Sequence, residues 1–281
     1  MHATLALQLL RLDPGLGGIC IRARSGPVRD RLTALIDAKA RRLHPAVSDE
    51  ALFGGLDLSA TLASGQLVQD KGLLAISGTL ILAMAERATT GLAARLAVAL
   101  DKGDEHCLIA LDEGAEPDAH LNPKLAERLA FHIDLSDCGL ADIKSAERMT
   151  ETANASQSVT IAAETTAQIT RIANDLGIDS MRAPLFAMRA ARAHAAMHGR
   201  DSVISEDVET ACALTLAHRA TRIPEPQTQE DAPAPPPEQD NQNAAEDSFD
   251  LPDELLLEAV HALLPDNLLD QLAAQKARAG R

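Results

Sequence analysis

Residues 18 to 32, GICIRARSGPVRDRL, have the frame of a phosphate-binding loop and little of its chemistry. A working loop of this kind reads G-x-x-x-x-G-K-[ST]: backbone amides cradle the phosphates, the Lys carries their charge and the hydroxyl meets Mg²⁺. In register, the eight positions run from Ala23 to Asp30. Ala23 and Val28 stand at the glycines, Arg29 at the Lys and Asp30 at the hydroxyl, and Gly26 is the one glycine inside the loop. Side chains at the glycine positions oppose the turn that wraps a phosphate. A carboxylate at Asp30 repels phosphate, although it could still meet a magnesium ion. Gly26, Arg29 and Asp30 are therefore the candidate nucleotide-loop residues, in a degenerate form. A plain strand, turn and helix would show the same residues.

A second register of the same frame is also altered. The apolar run Thr79–Ala83 reads as a buried parallel strand. Strands that serve phosphoryl transfer end in acidic residues that hold magnesium and polarise water. Here that end is Ala83-Met84, and Glu86 is displaced from it. Two arginines are further candidates. Arg128, in LNPKLAERLAFHIDL, sits at a helix end just before a strand, from where a cation can reach phosphate charge in a neighbouring subunit. A surface arginine paired with Glu127 or Asp134 would have the same sequence. Arg182 opens the helix MRAPLFAMRAARAHAAM, as a phosphate-sensing arginine or as part of a basic helix face with Arg189 and Arg192. His194 and His198 have the i, i+4 spacing that can bind metal, but no acidic partner follows at motif spacing, so no metal site is assigned. Asp57-x-Ser59-x-Thr61 has the look of a metal-ion adhesion loop without the apolar strand that should precede it.

The elements that must position these residues come in two styles. The first 140 residues alternate strand and helix: helix 3–11, strand 19–21, helix 28–38, strand 79–83, helix 86–101, strand 107–111, a short helix 125–131 and strand 132–135. That alternation predicts a parallel α/β sheet. From residue 145 helices follow one another, at 145–161, 163–176, 180–198 and 205–219, with Ser205 as the expected N-cap of the last. Residues 223–252 form a Pro-rich, acidic stretch without a basic residue, expected to be an unfolded linker. Residues 253–281 carry a leucine-rich helical pattern.

Composition excludes several classes. The chain has 281 residues, a net charge of −15, four Phe, no Tyr and no Trp. Aromatic stacking on bases is unavailable, and the acidic balance argues against a nucleic-acid partner. Residues 1–222 carry 23 basic and 28 acidic side chains, whereas residues 223–281 carry 3 and 13, so the acidity is concentrated in the tail. Cys20, Cys107, Cys138 and Cys212 show no paired spacing, which suits reduced thiols in a cytoplasmic protein. No apolar run is long enough to span a bilayer, and no signal peptide is evident.

In this order, LRLDPGLGGICIRARSGPVRDR, LFGGLD, GLLA with its following strand, LNPKLAERLAFHIDL, MRAPLFAMRAAR and VISEDVETACALTLAHR resemble the D subunits of magnesium chelatase, in the AAA+ ATPase family, over residues 1–222. The acidic linker and leucine-rich stretch fit the same resemblance. It implies an AAA+ α/β core at 1–140 with a parallel sheet and degenerate nucleotide loop, a small all-α lid at 141–222, the linker at 223–252 and the tail at 253–281. It implies a subunit with little ATPase of its own in a ring-type oligomer. Such a subunit joins the ATP-hydrolysing I subunit to the porphyrin-binding H subunit while Mg²⁺ enters protoporphyrin IX in bacteriochlorophyll biosynthesis, a ligase reaction that forms nitrogen–metal bonds. ATP and Mg²⁺ would be bound mainly by the I subunit. Arg128 falls at the family's arginine-finger position and Arg182 at its lid-sensor position. D subunits continue into an integrin-type domain that is not found in these 281 residues, as in a fragment or truncated product. A stand-alone adaptor or chaperone of the MoxR type is the other class that fits this frame.

Overall fold

The computed structural model describes residues 2–103, 106–114, 119–143 and 155–222. The linker and the leucine-rich tail expected from the sequence lie outside the described residues, as does most of the helix expected at 145–161. Seven strands are present among the described residues: β1 (Gly18–Arg22), β2 (Arg41–Leu43), β3 (Gly54–Leu56), β4 (Gln69–Lys71), β5 (Gly78–Leu82), β6 (His106–Asp112) and β7 (Phe131–Asp134). Five form one sheet in the order β2-β5-β6-β1-β7, and every pairing within it is parallel. The strand at the centre, β6, is buried along its whole length, which its uninterrupted apolar run requires when helices cover both faces. Strands β3 and β4 pair separately as an antiparallel hairpin.

Nine α-helices accompany these strands among the described residues. Helix α1 (His2–Leu12) precedes β1, and α2 (Pro27–Thr33) follows it. Helix α3 (Asp49–Phe53) precedes β3, and α4 (Leu58–Ser64) lies in the connection between β3 and β4. The longer α5 (Thr90–Asp101) covers the sheet, and α6 (Pro123–Ala126) leads into β7. Helices α7 (Ala163–Asp175), α8 (Arg182–Met197) and α9 (Ser205–Thr215) form the lid. Its own apolar cluster joins Ile169, Ile172, Leu176, Ala187, Val208 and Leu216. Lid and sheet also share a core, because Phe186, Ala190 and Leu214 belong to the cluster that contains Leu9, Ile19, Ile21 and Phe131.

The differences from the sequence reading have local causes. Helix α2 stops at Thr33, and the chain turns so that the Asp37 carboxylate accepts the Lys39 amide. The helix expected at 125–131 is a single turn, started by Pro123 and capped by Asn122, and Phe131 already belongs to β7. Where 155–161 was expected to be helical, Ala155–Ser158 makes one 3-10 turn and Thr160 pairs with Ser202. Ser205 is the first residue of α9 and not its cap; Ile204 takes the cap position. Asp57 caps α4 by accepting the Ala60 amide.

Candidate functional site

The chain leaves β1 at Arg22, passes Ala23–Gly26 and enters α2 through Pro27. In a phosphate loop the first-turn amides of this helix face the anion. Here Pro27 removes one of those amides and Asp30 places a carboxylate in the first turn. Arg29 is committed inside the chain. Its Nη1 donates to Glu113 Oε1 at 3.1 Å and to the Ala23 carbonyl at 3.4 Å, and its Nη2 donates to Ser25 Oγ at 2.8 Å. Glu113 directly follows β6, the strand beside β1. The Glu113 amide donates to Glu86 Oε2 at 3.1 Å, and the Glu86 side chain is only 1% exposed. So the cation that should meet phosphate is neutralised by one carboxylate, with a second buried behind it. Ala83 and Met84 supply no carboxylate, and Met84 turns the strand end with a left-handed φ of 47°. These residues do not fit a bound triphosphate and its magnesium.

A second cluster forms at the opposite end of the sheet. Arg128 Nε and Nη2 donate to Asp101 Oδ2 at 3.0 and 2.5 Å, and Arg128 Nη1 donates to the Lys124 carbonyl at 2.7 Å. Arg182 Nη2 donates to Asp101 Oδ1 at 3.0 Å. The two arginines singled out in the sequence therefore meet on one carboxylate, which the sequence reading did not single out. Neither Glu127 nor Asp134 is the partner of Arg128: the Glu127 carboxylate accepts from Ser180 Oγ, and Asp134 accepts from Ser136. The hydrogen bonds from Arg128, above all, hold the Asp101 carboxyl below its ordinary range. The backbone of Arg128 packs on Gly17, just before β1, whereas the loop follows β1. Five strand residues separate them, about 16 Å at the usual rise, which is longer than an arginine side chain. Arg128 thus lies beyond reach of the loop of its own chain.

The lid is pinned to the sheet at several points. Arg189 forks onto Asp13 (Nε 3.0 Å, Nη2 2.5 Å). Arg219 Nη2 donates to the Leu129 carbonyl at 2.7 Å, and its guanidinium lies 5.8 Å from the centre of the Phe186 ring. His132 of β7 stacks on His218 with ring centres 4.5 Å apart. Burial, with Arg219 close by, pushes His132 down to about 4, and burial also drives His218 well below the ordinary histidine range. Both are neutral when folded, while the unfolded chain takes up protons near pH 6.5. Their contribution is complete above pH 6.5 and is lost as pH falls toward 4. From His132 alone the loss between pH 7 and pH 5 is about 2 kcal/mol. Urea midpoints measured across that range should fall accordingly, and His132→Gln should flatten the slope; a slope unchanged by that replacement would contradict the assignment.

His194 and His198 touch edge to face at 4.7 Å, and His194 Nδ1 lies 2.6 Å from the buried Asp207 carboxylate. Among the described residues no group of three or more His, Cys, Asp or Glu side chains could hold a metal ion. No helix among them is long and apolar enough to cross a membrane. The buried thiols Cys20, Cys107 and Cys212 are pushed up to about 12 by burial, so they are inert at neutral pH.

Comparison with known proteins adds to this geometry. A family model described as AAA lid domain matches residues 166–239. A candidate ATPase from Cytophaga hutchinsonii superimposes with a TM-score of 0.57 at 16% identity, covering 76% of this chain and 80% of that one. Together with the five-stranded parallel sheet, these decide the fold. The chain has the AAA+ α/β fold. Its sequence is 45% identical to the magnesium-chelatase 60 kDa subunit of Cereibacter sphaeroides over 97% of this chain and 51% of that protein. The same subunit of Rhodobacter capsulatus is 43% identical over 95% of this chain and 50% of that protein. The chain thus spans about half the length of the curated relatives it matches. The residues that the sequence reading missed, Asp101 and Glu113, carry no motif. Glu113 becomes visible once β6 is known to lie beside β1.

Proposed function

We propose that this AAA+ chain acts in magnesium chelatase as a subunit that does not hydrolyse ATP. In this reading it assembles in a cytoplasmic ring with the ATP-hydrolysing I subunit and links it to the porphyrin-binding H subunit while Mg²⁺ is inserted into protoporphyrin IX. The core covers residues 1–140, the lid 141–222, and the acidic stretch 223–252 connects to the leucine-rich tail. ATP and its magnesium belong to the partner, whose site this chain completes with Arg128 as a finger and Arg182 as a sensor. Gly26, Arg29 and Asp30 are the remnant of a loop of its own.

The observation that carries the reading is the division of labour between two ends of one sheet. At one end the loop cation is closed off by Glu113. At the other, Arg128 and Arg182 share a solvent-reached surface that their own loop cannot use. A transition-state arginine supplied by a neighbour accelerates phosphoryl transfer by factors of roughly 10³ or more in the best-studied cases. The test is ATP turnover by a purified I-type ATPase, titrated with the full chain. The chain alone should show no turnover. Wild type should change the partner's turnover, and Arg128→Ala should reduce that change at least ~10-fold without loss of co-elution. An undiminished effect of Arg128→Ala would leave a docking platform only. Turnover by the chain alone would refute the reading of the loop.

A further inference from the structure

We propose that Asp101 is a built-in stand-in for a polyphosphate anion, and that Arg128 and Arg182 form the receptor it occupies. The inference rests on the reading of the two arginines given above and adds the group that keeps them poised. Two guanidiniums from separate parts of the chain converge on one carboxylate. Oδ2 accepts from Nε and Nη2 of Arg128, and Oδ1 accepts from Nη2 of Arg182. Three such donors aimed at two oxygens are also what a phosphoryl group requires.

The pair Arg189–Asp13 marks the contrast. Its fork is equally good, but the Asp13 side chain is 10% exposed and bonds the Gly15 amide as well, so that pair fastens the lid. At the cluster, the side chains of Arg128, Asp101 and Arg182 are 21%, 33% and 44% exposed. Water competes for exposed ion pairs and keeps them weak, so an incoming anion can displace the carboxylate at small cost. Charge favours the exchange. Two cations share one negative charge, and a polyphosphate neutralises both where Asp101 neutralises one.

The receptor has supports that do not depend on Asp101. Arg128 stays oriented by its bond to the Lys124 carbonyl. The start of α8 is held by the Arg182 amide on Ser180 Oγ, at 3.2 Å, and by Ser180 on Glu127. Asp101 ends α5, so its side chain can swing aside without moving a strand. The arrangement keeps two like charges compact when no anion is near and releases them when one arrives.

Calorimetric titration of the full chain with inorganic tripolyphosphate at low ionic strength tests this. Asp101→Asn should bind about tenfold tighter than wild type, because a charged competitor is gone. Adding Arg128→Ala or Arg182→Ala should abolish that gain. Asp101→Ser provides the same test should the Asn variant fold poorly by circular dichroism. Equal binding by wild type and the folded Asp101 variants would overturn the proposal, as would a gain that survives loss of either arginine. Beside an I-type ATPase, Asp101→Asn should lower the ATP concentration for half-maximal stimulation. If tripolyphosphate binding shows the gain but turnover ignores Arg128, the finger role of Arg128 fails and the receptor stands. If turnover needs Arg128 and Asp101→Asn changes neither measurement, the stand-in is wrong and the ring reading stands.

Discussion

Gly18→Ala is expected to cost about 4 kcal/mol, close to the whole stability of a marginal domain. Two effects add. Gly18 has φ +152°, in a region that side chains other than hydrogen rarely adopt. A Cβ there would also lie 1.9 Å from the Leu108 carbonyl oxygen and 2.9 Å from Leu129 Cδ2. The oxygen belongs to β6, paired with β1 at this residue, so it cannot rotate away as a side chain tip would. Relief requires prying apart the two central strands, and overpacking alone costs typically ~1–3 kcal/mol. The damage also reaches the candidate site. The neighbouring Gly17 packs against the Arg128 carbonyl, and the Leu16 carbonyl accepts the Ala130 amide, so the segment carrying Arg128 is seated on this corner. A thermal melt should show Tm lowered by roughly 10 °C, and the surviving folded protein should have lost its effect on an ATPase partner. A Tm within about 2 °C of wild type would show that the strands absorb the methyl group and are not rigid at this corner.

Much of this arrangement was legible because the sheet strands are apolar runs bounded by charges and glycines. The residues 107–111 are buried on both faces, and that burial is written in their composition. The helices α1, α7 and α8 fell within a residue or two of their expected limits, since each has a long periodic stripe. What escaped was short or decided at a distance. Strand β2 has three residues and is a strand only because β5 lies beside it. The hairpin of β3 and β4 was hidden by Gly54-Gly55, which reads as loop. At the site, the altered loop positions could be read singly from the sequence, and the structure adds the reason they are closed: Glu113, distant in sequence, occupies Arg29. Arg128 and Arg182 were each named, but their meeting on Asp101 spans 81 residues and has no local signature.

Asp207→Ala should unfold the lid, at a cost of about 3–5 kcal/mol, the usual loss when one member of a buried ion pair is removed. Asp207 is completely buried. Its Oδ1 takes His194 Nδ1 from α8 and the guanidinium of Arg200 from the connecting turn, while Oδ2 accepts the Ile204 amide at 2.9 Å. One carboxylate therefore closes the start of α9 and ties it to the end of α8. Truncation strips an acceptor from all three donors, and while Arg200, 26% exposed, can turn to water, His194, 5% exposed, cannot. Asp207→Asn keeps the volume but not the charge and should cost roughly half as much. Because the lid has an apolar cluster of its own, the loss should be regional. Amides of α7, α8 and α9 should lose hydrogen-exchange protection while β1 and β6 keep theirs. Arg182 heads α8, so the same variant should weaken tripolyphosphate binding even though Arg128 and Asp101 are intact. Uniform loss of protection across sheet and lid would instead mean that the two unfold as one unit through their shared core.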